Sequence, residues 1–325
     1  NYSISYAANN TGAITARALT GTFTASNKIY DGNTSAAATN LQLVGAVSTD
    51  NVSLSGGTAS FDTKDKGTGK TVTLTSAVLA GTDAGNYTLT SVATTTAAIT
   101  AKALTAASTV APKVYDGSEA TGTVTLGTVT GLVGTETLVI TPSASNYSNA
   151  NVGTDKATMI SYALADGTNG GKASNYSMAD LSSSGAITAK VLTITAGNQS
   201  VAYGTLASAV TGAGSYTPSG FVNSEGASVI SGSVSYTTSY TATTGAGTPG
   251  VTITPVVTGL SAENYSFTAA NGAITIDKAS PNVTARAASI LVFDGRAKVG
   301  SGSATGVGGA SDVLSPAVTL TYEHK

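Results

Sequence analysis

Four short stretches hold the residues best suited to chemistry. Tyr30-Asp31-Gly32 sits in KIYDGNTSA (28–36), and Tyr115-Asp116-Gly117 in KVYDGSEAT (113–121). Tyr203-Gly204 in VAYGTLAS (201–208) and Phe293-Asp294-Gly295 in LVFDGRAKV (291–299) are altered copies. A carboxylate beside a phenol could move a proton, but acid–base or nucleophilic catalysis needs a second group within reach. The one histidine, His324, stands far along the chain from all four. The simpler account is structural. Asp caps its own turn, Gly takes a positive φ, and the aromatic plugs the end of a core.

Other chemistries fare no better. The 325 residues include no Cys, so neither a disulfide nor a thiolate metal site can form. Charged residues make up 10% and the net charge is -2, which leaves no basic patch for nucleic acid. No run of about 18 apolar residues exists, so direct membrane insertion by a helix is not expected. Asp50, Asp62, Asp65, Asp83 and Asp155 lie in turn-like contexts that differ along the chain, unlike a glycosidase carboxylate pair. Asp62 and Asp65 are crowded by Lys64, Lys66 and Lys70, which favours a local ion pair over a calcium site. No cofactor and no enzyme activity are expected. Tyr236 and Tyr240, four apart on an expected strand, are the candidates for stacking on a sugar. One buried strand face explains them more simply.

These residues are copied along the chain. Tyr30, Tyr115, Tyr203 and Phe293 are 85, 88 and 90 residues apart. Asn-Tyr pairs at 1, 86, 175 and 264 keep nearly the same period. The expected organisation is the end of one repeat (1–16), three whole repeats (17–101, 102–189 and 190–276) and the start of another (277–325). TVTLT (71–75), LTITA (192–196) and VTITP (251–255) alternate apolar residues with Thr or its like, the period of a strand with one buried face. The expected fold is all-β, a tandem of immunoglobulin-like two-sheet sandwiches. Tyr87, Tyr176 and Tyr265 stand just ahead of a strand, where such sandwiches place a tyrosine corner. The AAIT or GAIT segment that follows is expected as a last strand beside the Tyr strand. The junctions AAITAKALT and GAITAKVLT contain no Gly/Ser or Pro linker, so an elongated semi-rigid rod is expected.

LTGTFTASNKIYDGNTSA, FDTKDKGTGKTVTLT, GTDAGNYTLT and AAITAKALT together resemble the YDG repeat of very large secreted bacterial adhesins of the filamentous-haemagglutinin type. Residues 102–189 resemble it too. VAYGTLAS and ENYSFTAANGAITI resemble the related MBG-type repeat, as does the segment from 277. The resemblance implies a stalk or spacer on the bacterial cell surface, extending a binding tip and supporting cell–cell or biofilm-matrix adhesion. Its implied partners are neighbouring repeats of the same long chain, with matrix polysaccharide or other surface adhesins as further candidates. Two alternatives stand beside it: exopolysaccharide-binding modules, and a subunit of an extracellular fibre built by β-strand addition.

Overall fold

The computed structural model describes residues 1–8, 11–286 and 301–307. Phe293, Asp294, Gly295 and His324 lie outside the described residues. The chain divides into two compact units. The first holds Asn1–Ala111, Thr121–Asn146 and Ala157–Gly185; the second holds Pro112–Ala120, Tyr147–Lys156 and Ala186–Lys325. The repeat at 102–189 is therefore divided between the two.

Almost every element is a strand, and alternation is the reason. In the first repeat these are β1 (Arg17–Ala25), β2 (Lys28–Ile29), β3 (Ser35–Ala36), β4 (Ala38–Val44), β5 (Ser53–Phe61), β6 (Gly67–Ala80), β7 (Tyr87–Val92) and β8 (Thr95–Thr100). Along β6, Val72 and Leu74 are buried while Thr71, Thr73 and Thr75 are exposed. One sheet has the order β4-β1-β7 and the other β2-β8-β6-β5-β3. Phe23 from the first sheet and Leu54, Phe61, Val72, Leu74, Ala97 and Ile99 from the second form a single core, closed by Tyr30.

In the second repeat, β9 (Lys102–Ala106), β10 (Thr109–Val110), β11 (Lys113–Val114), β12 (Val124–Thr125), β13 (Val129–Thr130), β14 (Leu138–Ala144), β15 (Gly153–Asp166), β16 (Tyr176–Met178) and β17 (Leu181–Thr188) follow. Within the first unit, β13, β9 and β16 repeat the order of β4, β1 and β7. β14 runs antiparallel to β15.

The second unit carries the third repeat. It has β18 (Lys190–Ala196), β19 (Gln199–Ala202), helix α1 (Ala207–Gly212), β20 (Tyr216–Ser219), β21 (Ser231–Gly232), β22 (Ser235–Thr238), β23 (Thr252–Val256), β24 (Leu260–Ser261), β25 (Tyr265–Ala270) and β26 (Gly272–Asp277). Its sheets are β20-β18-β25 and β19-β26-β23-β22. β27 (Asn282–Arg286) and β28 (Ser301–Thr305) form a further antiparallel pair. The short helix was not signalled by any 3.6-residue pattern; it buries only Val210.

Two parallel pairings recur in every repeat. The opening strand runs beside the Tyr strand: Arg17 opposite Tyr87, Lys102 opposite Tyr176, Lys190 opposite Tyr265. The strand before the aromatic-Gly turn runs beside the closing strand: Lys28 opposite Ile99, Lys113 opposite Ile187, Gln199 opposite Ile274. This corrects the expectation that the closing strand lies beside the Tyr strand. β8 bonds to β2 and β6 in the opposite sheet. The reason is burial from two sides: Tyr87 and Ile99 must both face the core, and the two residues between β7 and β8 carry the chain across to the other sheet.

Junctions are equally short. Ala101 alone separates β8 from β9, and Ala189 alone separates β17 from β18. Ile99 and Leu104 are of opposite parity, yet both are buried. A single residue thus lets consecutive strands use opposite faces, one for each repeat. Replacing Ile99 by Ala should cost about 2–5 kcal/mol in urea unfolding, whereas Val78→Ala on the exposed side of β6 should change it by under about 0.5 kcal/mol.

Candidate functional site: the joints between repeats

The Tyr-Asp-Gly turn is built locally from its own sequence. Asp31 accepts from the Asn33 backbone N–H at 3.2 Å and from Lys28 Nζ at 2.7 Å. Asp116 does the same with the Ser118 N–H at 2.9 Å and Lys113 Nζ at 2.8 Å. The Lys113 ammonium, then the Ser118 N–H, hold the Asp116 carboxyl down at about 2. Lys28 and Lys113 also bond to a carbonyl beyond the turn, Asn33 O and Ser118 O. At 201–204 both the Lys and the Asp are gone together, as the loss of one partner of such a pair would require.

The turn does not merely end a repeat. Gly32 has φ +82°, and a Cβ there would lie 2.8 Å from Val133 Cγ1 of the next repeat. Gly117 (φ +75°) is pressed in the same way against Asn223, and Gly204 (φ +88°) against Val307. Glycine is needed twice over, for the backbone angle and for the close approach.

Beside Gly32 and Gly117 the aromatic reaches an acid of the following repeat. In the first unit, the Tyr30 hydroxyl donates to Glu136 Oε1 at 2.6 Å, and the Tyr176 hydroxyl donates to Oε2 at 2.7 Å. Lys64 Nζ adds a third contact to Oε1 at 3.2 Å. The rings of Tyr30 and Tyr176 meet edge to face with centroids 5.4 Å apart. The Val133 N–H donates to the Tyr176 hydroxyl at 3.0 Å, so that hydroxyl is satisfied on both sides. Glu136 is 8% exposed. Burial is the largest single influence on its carboxyl and would raise it. The two phenols and Lys64 together outweigh it and hold the group below its ordinary range. Tyr176 is pushed up to about 12, first by burial and then by the Glu136 carboxylate.

The second unit repeats the arrangement. Tyr115 donates to Glu225 Oε1 at 2.7 Å, Tyr265 donates to Oε2, and the Val222 N–H donates to the Tyr265 hydroxyl at 3.2 Å. The Tyr115 and Tyr265 rings are again 5.4 Å apart, edge to face. Tyr115 is pushed up to about 12, first by its bond to Glu225 and then by burial.

A second contact flanks each joint. Asn175, fully buried, accepts from the Lys66 N–H at 2.8 Å and donates to Asp65 Oδ1 at 3.0 Å. Asn264 accepts from the Val152 N–H at 2.9 Å and donates to Asn151 Oδ1 at 3.2 Å. Asn175 and Asn264, from two of the Asn-Tyr pairs, therefore bond the preceding repeat. Asp65 also pairs with Lys172, while Asp62 pairs with Lys70 at 2.8 Å.

Sequence reasoning found the tyrosines and glycines but passed over their acids. Asp50 was placed only in a turn, and Glu136 and Glu225 were not singled out. A signal existed: Val47-Ser-Thr-Asp50, Val133-Gly-Thr-Glu136 and Val222-Asn-Ser-Glu225 share a Val-x-x-acid pattern 86 and 89 residues apart. The stacking pair is corrected. β22 ends at Thr238, so Tyr240 is off that strand. It is 1% exposed, with its hydroxyl donating to Thr205 O at 3.0 Å, and cannot offer a face to a sugar. Tyr236 is half-buried on β22. Tyr203 is half-buried, its N–H bonded to Asp277 O. The cleft beside α1, lined by Gln199, Val201, Thr205 and Val210, holds no acid or base.

The YDG domain model matches residues 15–97 and 100–183, more than half of the chain. The chain belongs to the YDG domain family. The MBG domain model of the YGX type matches residues 192–275, where Tyr203-Gly204 lacks the Asp. No curated protein matches. The three matches follow one another along residues 15–275.

Tyr176→Phe should destabilise the first joint by about 1.5–3 kcal/mol, because a buried carboxylate oxygen and the Val133 N–H both lose a partner. Tyr87→Phe, where only Asp50 and Val47 are served, should cost nearer 1 kcal/mol in the same urea titration. The lowered Glu136 carboxyl contributes stability that is complete above the unfolded value near 4.3 and lost as pH falls through the lower folded value. The raised Tyr176 contributes stability that is complete below about 10 and lost as pH rises through about 12. Subtracting the urea midpoints of Glu136→Gln from those of the wild type across pH should isolate the acid limb.

Proposed function

We propose that this chain is a structural spacer, a run of stalk repeats from a bacterial cell-surface adhesin. On this reading it works outside the cell, carries a binding tip away from the surface and supports cell–cell or biofilm-matrix contact. Its main partners are its own neighbouring repeats, and it performs no catalysis. The observation that carries the reading is the recurrence of one joint. Tyr30 and Tyr176 close on Glu136, and Tyr115 and Tyr265 close on Glu225, each time from consecutive repeats. Among the described residues, the buried polar chemistry of Glu136 and Asn175 is spent on holding repeats together. A binding protein would be expected to aim it at a cavity.

The one-residue junctions at Ala101 and Ala189 support the same reading, since short connections limit bending. The test is small-angle scattering of residues 1–325. The expected result is an elongated particle with a narrow spread of shapes, each repeat adding on the order of 35–45 Å. Glu136→Ala combined with Glu225→Ala should broaden that spread. A compact wild-type particle, or a wild type as broadly distributed as the double variant, would overturn the spacer.

A further inference from the structure

The first repeat contains a complete copy of the receiving side of the joint, and none of the described residues sits on it as a second repeat does elsewhere. The Tyr87 hydroxyl donates to Asp50 Oδ2 at 2.7 Å and accepts from the Val47 N–H at 3.2 Å, as Tyr176 does with Glu136 and Val133. Among the described residues Asp50 has no second phenol, where Glu136 and Glu225 each have one. Val47 is 42% exposed, whereas its counterparts Val133, under Gly32, and Val222, next in sequence to the Asn223 that meets Gly117, are half-buried. Asn86 is exposed, whereas Asn175 is fully buried and Asn264 half-buried beneath a loop of the preceding repeat. All three parts of the seat are built, and all three lack the cover they have elsewhere.

Residues 1–16 point to what covers it. Tyr2 and Ile14 match Tyr87 and Ile99 in sequence, at the same spacing of 12. Tyr87 and Ile99 are buried, and Tyr2 and Ile14 are fully exposed. These are the core residues of a further repeat's closing strands. We infer that Val47, Asp50 and Asn86 form a docking seat for another β repeat. The occupant presents a Tyr-Asp-Gly turn: its phenol donates to Asp50 Oδ1, which takes only a long 3.4 Å contact from the Thr49 hydroxyl, its glycine packs on Val47, and a backbone N–H of its neighbouring loop reaches the Asn86 carbonyl oxygen. The seat discriminates by the hydroxyl, so a turn with Phe in place of Tyr fits the shape but leaves Asp50 Oδ1 without a second phenol. The inference rests on the spacer reading only in taking consecutive repeats as partners. Its failure would leave the scattering result untouched.

The experiment adds one repeat to the full chain. A copy of residues 17–101 placed directly ahead of Arg17 recreates the natural junction, because Ala98-Ile-Thr-Ala101 has the same residues as Ala13-Ile-Thr-Ala16. Hydrogen exchange is then followed at Val47–Asn51 and compared with residues 1–325. Exchange there should slow by about tenfold or more. Tyr30→Phe in the added copy alone should give back about fivefold, the worth of one such hydrogen bond. A second fusion, with residues 102–189 ahead of Arg17 and Tyr115-Asp116-Gly117 as the turn, carries the same expectation. Unchanged exchange at Val47–Asn51 in both fusions overturns the seat. Protection that the Phe variant leaves intact overturns recognition through the hydroxyl.

Discussion

A buried carboxylate shared by two phenols governs this chain. Glu136 could not stay charged at 8% exposure without its partners, since an unpaired buried charge costs several kcal/mol. Its two oxygens are answered by tyrosines from two different repeats, with Lys64 as a third contact. The charge therefore cannot be satisfied by either repeat alone. Dependence of that kind ties the placement of one repeat to the folding of the next. It also explains why the aromatic must be Tyr at 30 and 115, although a Phe would plug a core equally well.

Much of the fold was legible in the sequence because alternation leaves little choice. Val72 and Leu74 between threonines can only be a strand with one wet face, and the structure places them so. The period of the Asn-Tyr and Tyr-Asp-Gly markers was legible in the same way, and the family models match two YDG copies and one MBG copy. The sheet assignment of the closing strand was not legible. Hydrophobic pattern tells which face of β8 is buried, but both sheets bury the same kind of face, and only pairing with β2 and β6 decides between them.

The candidate site was half legible, for a physical reason. Glycine and tyrosine announce themselves by recurring together at fixed spacing, while an acid in a polar loop looks like any solvated acid. Glu136 acquires its meaning from Tyr30, 106 residues away, and Glu225 from Tyr115, 110 residues away. Sequence proximity carries no trace of such a pair. The spacing of Val-x-x-acid does, once the repeat is aligned to itself. The same self-alignment sets Tyr240 against Phe61 and Tyr147, both buried as it is, an early sign that it serves its own repeat's packing.

The two recurring parallel pairings have a mechanical consequence. In the first repeat the entering strand β1 lies beside β7, and β2 lies beside the departing strand β8, all in the parallel sense. Tension along the chain pulls β2 and β8 in opposite directions along their shared axis. Their hydrogen bonds are then loaded in shear, so they must yield together. An antiparallel hairpin pulled from its open end would peel one bond at a time. Resistance to such loading is set by the unfolding rate and not by equilibrium stability. A repeat of modest thermodynamic stability can on this geometry hold against flow or traction.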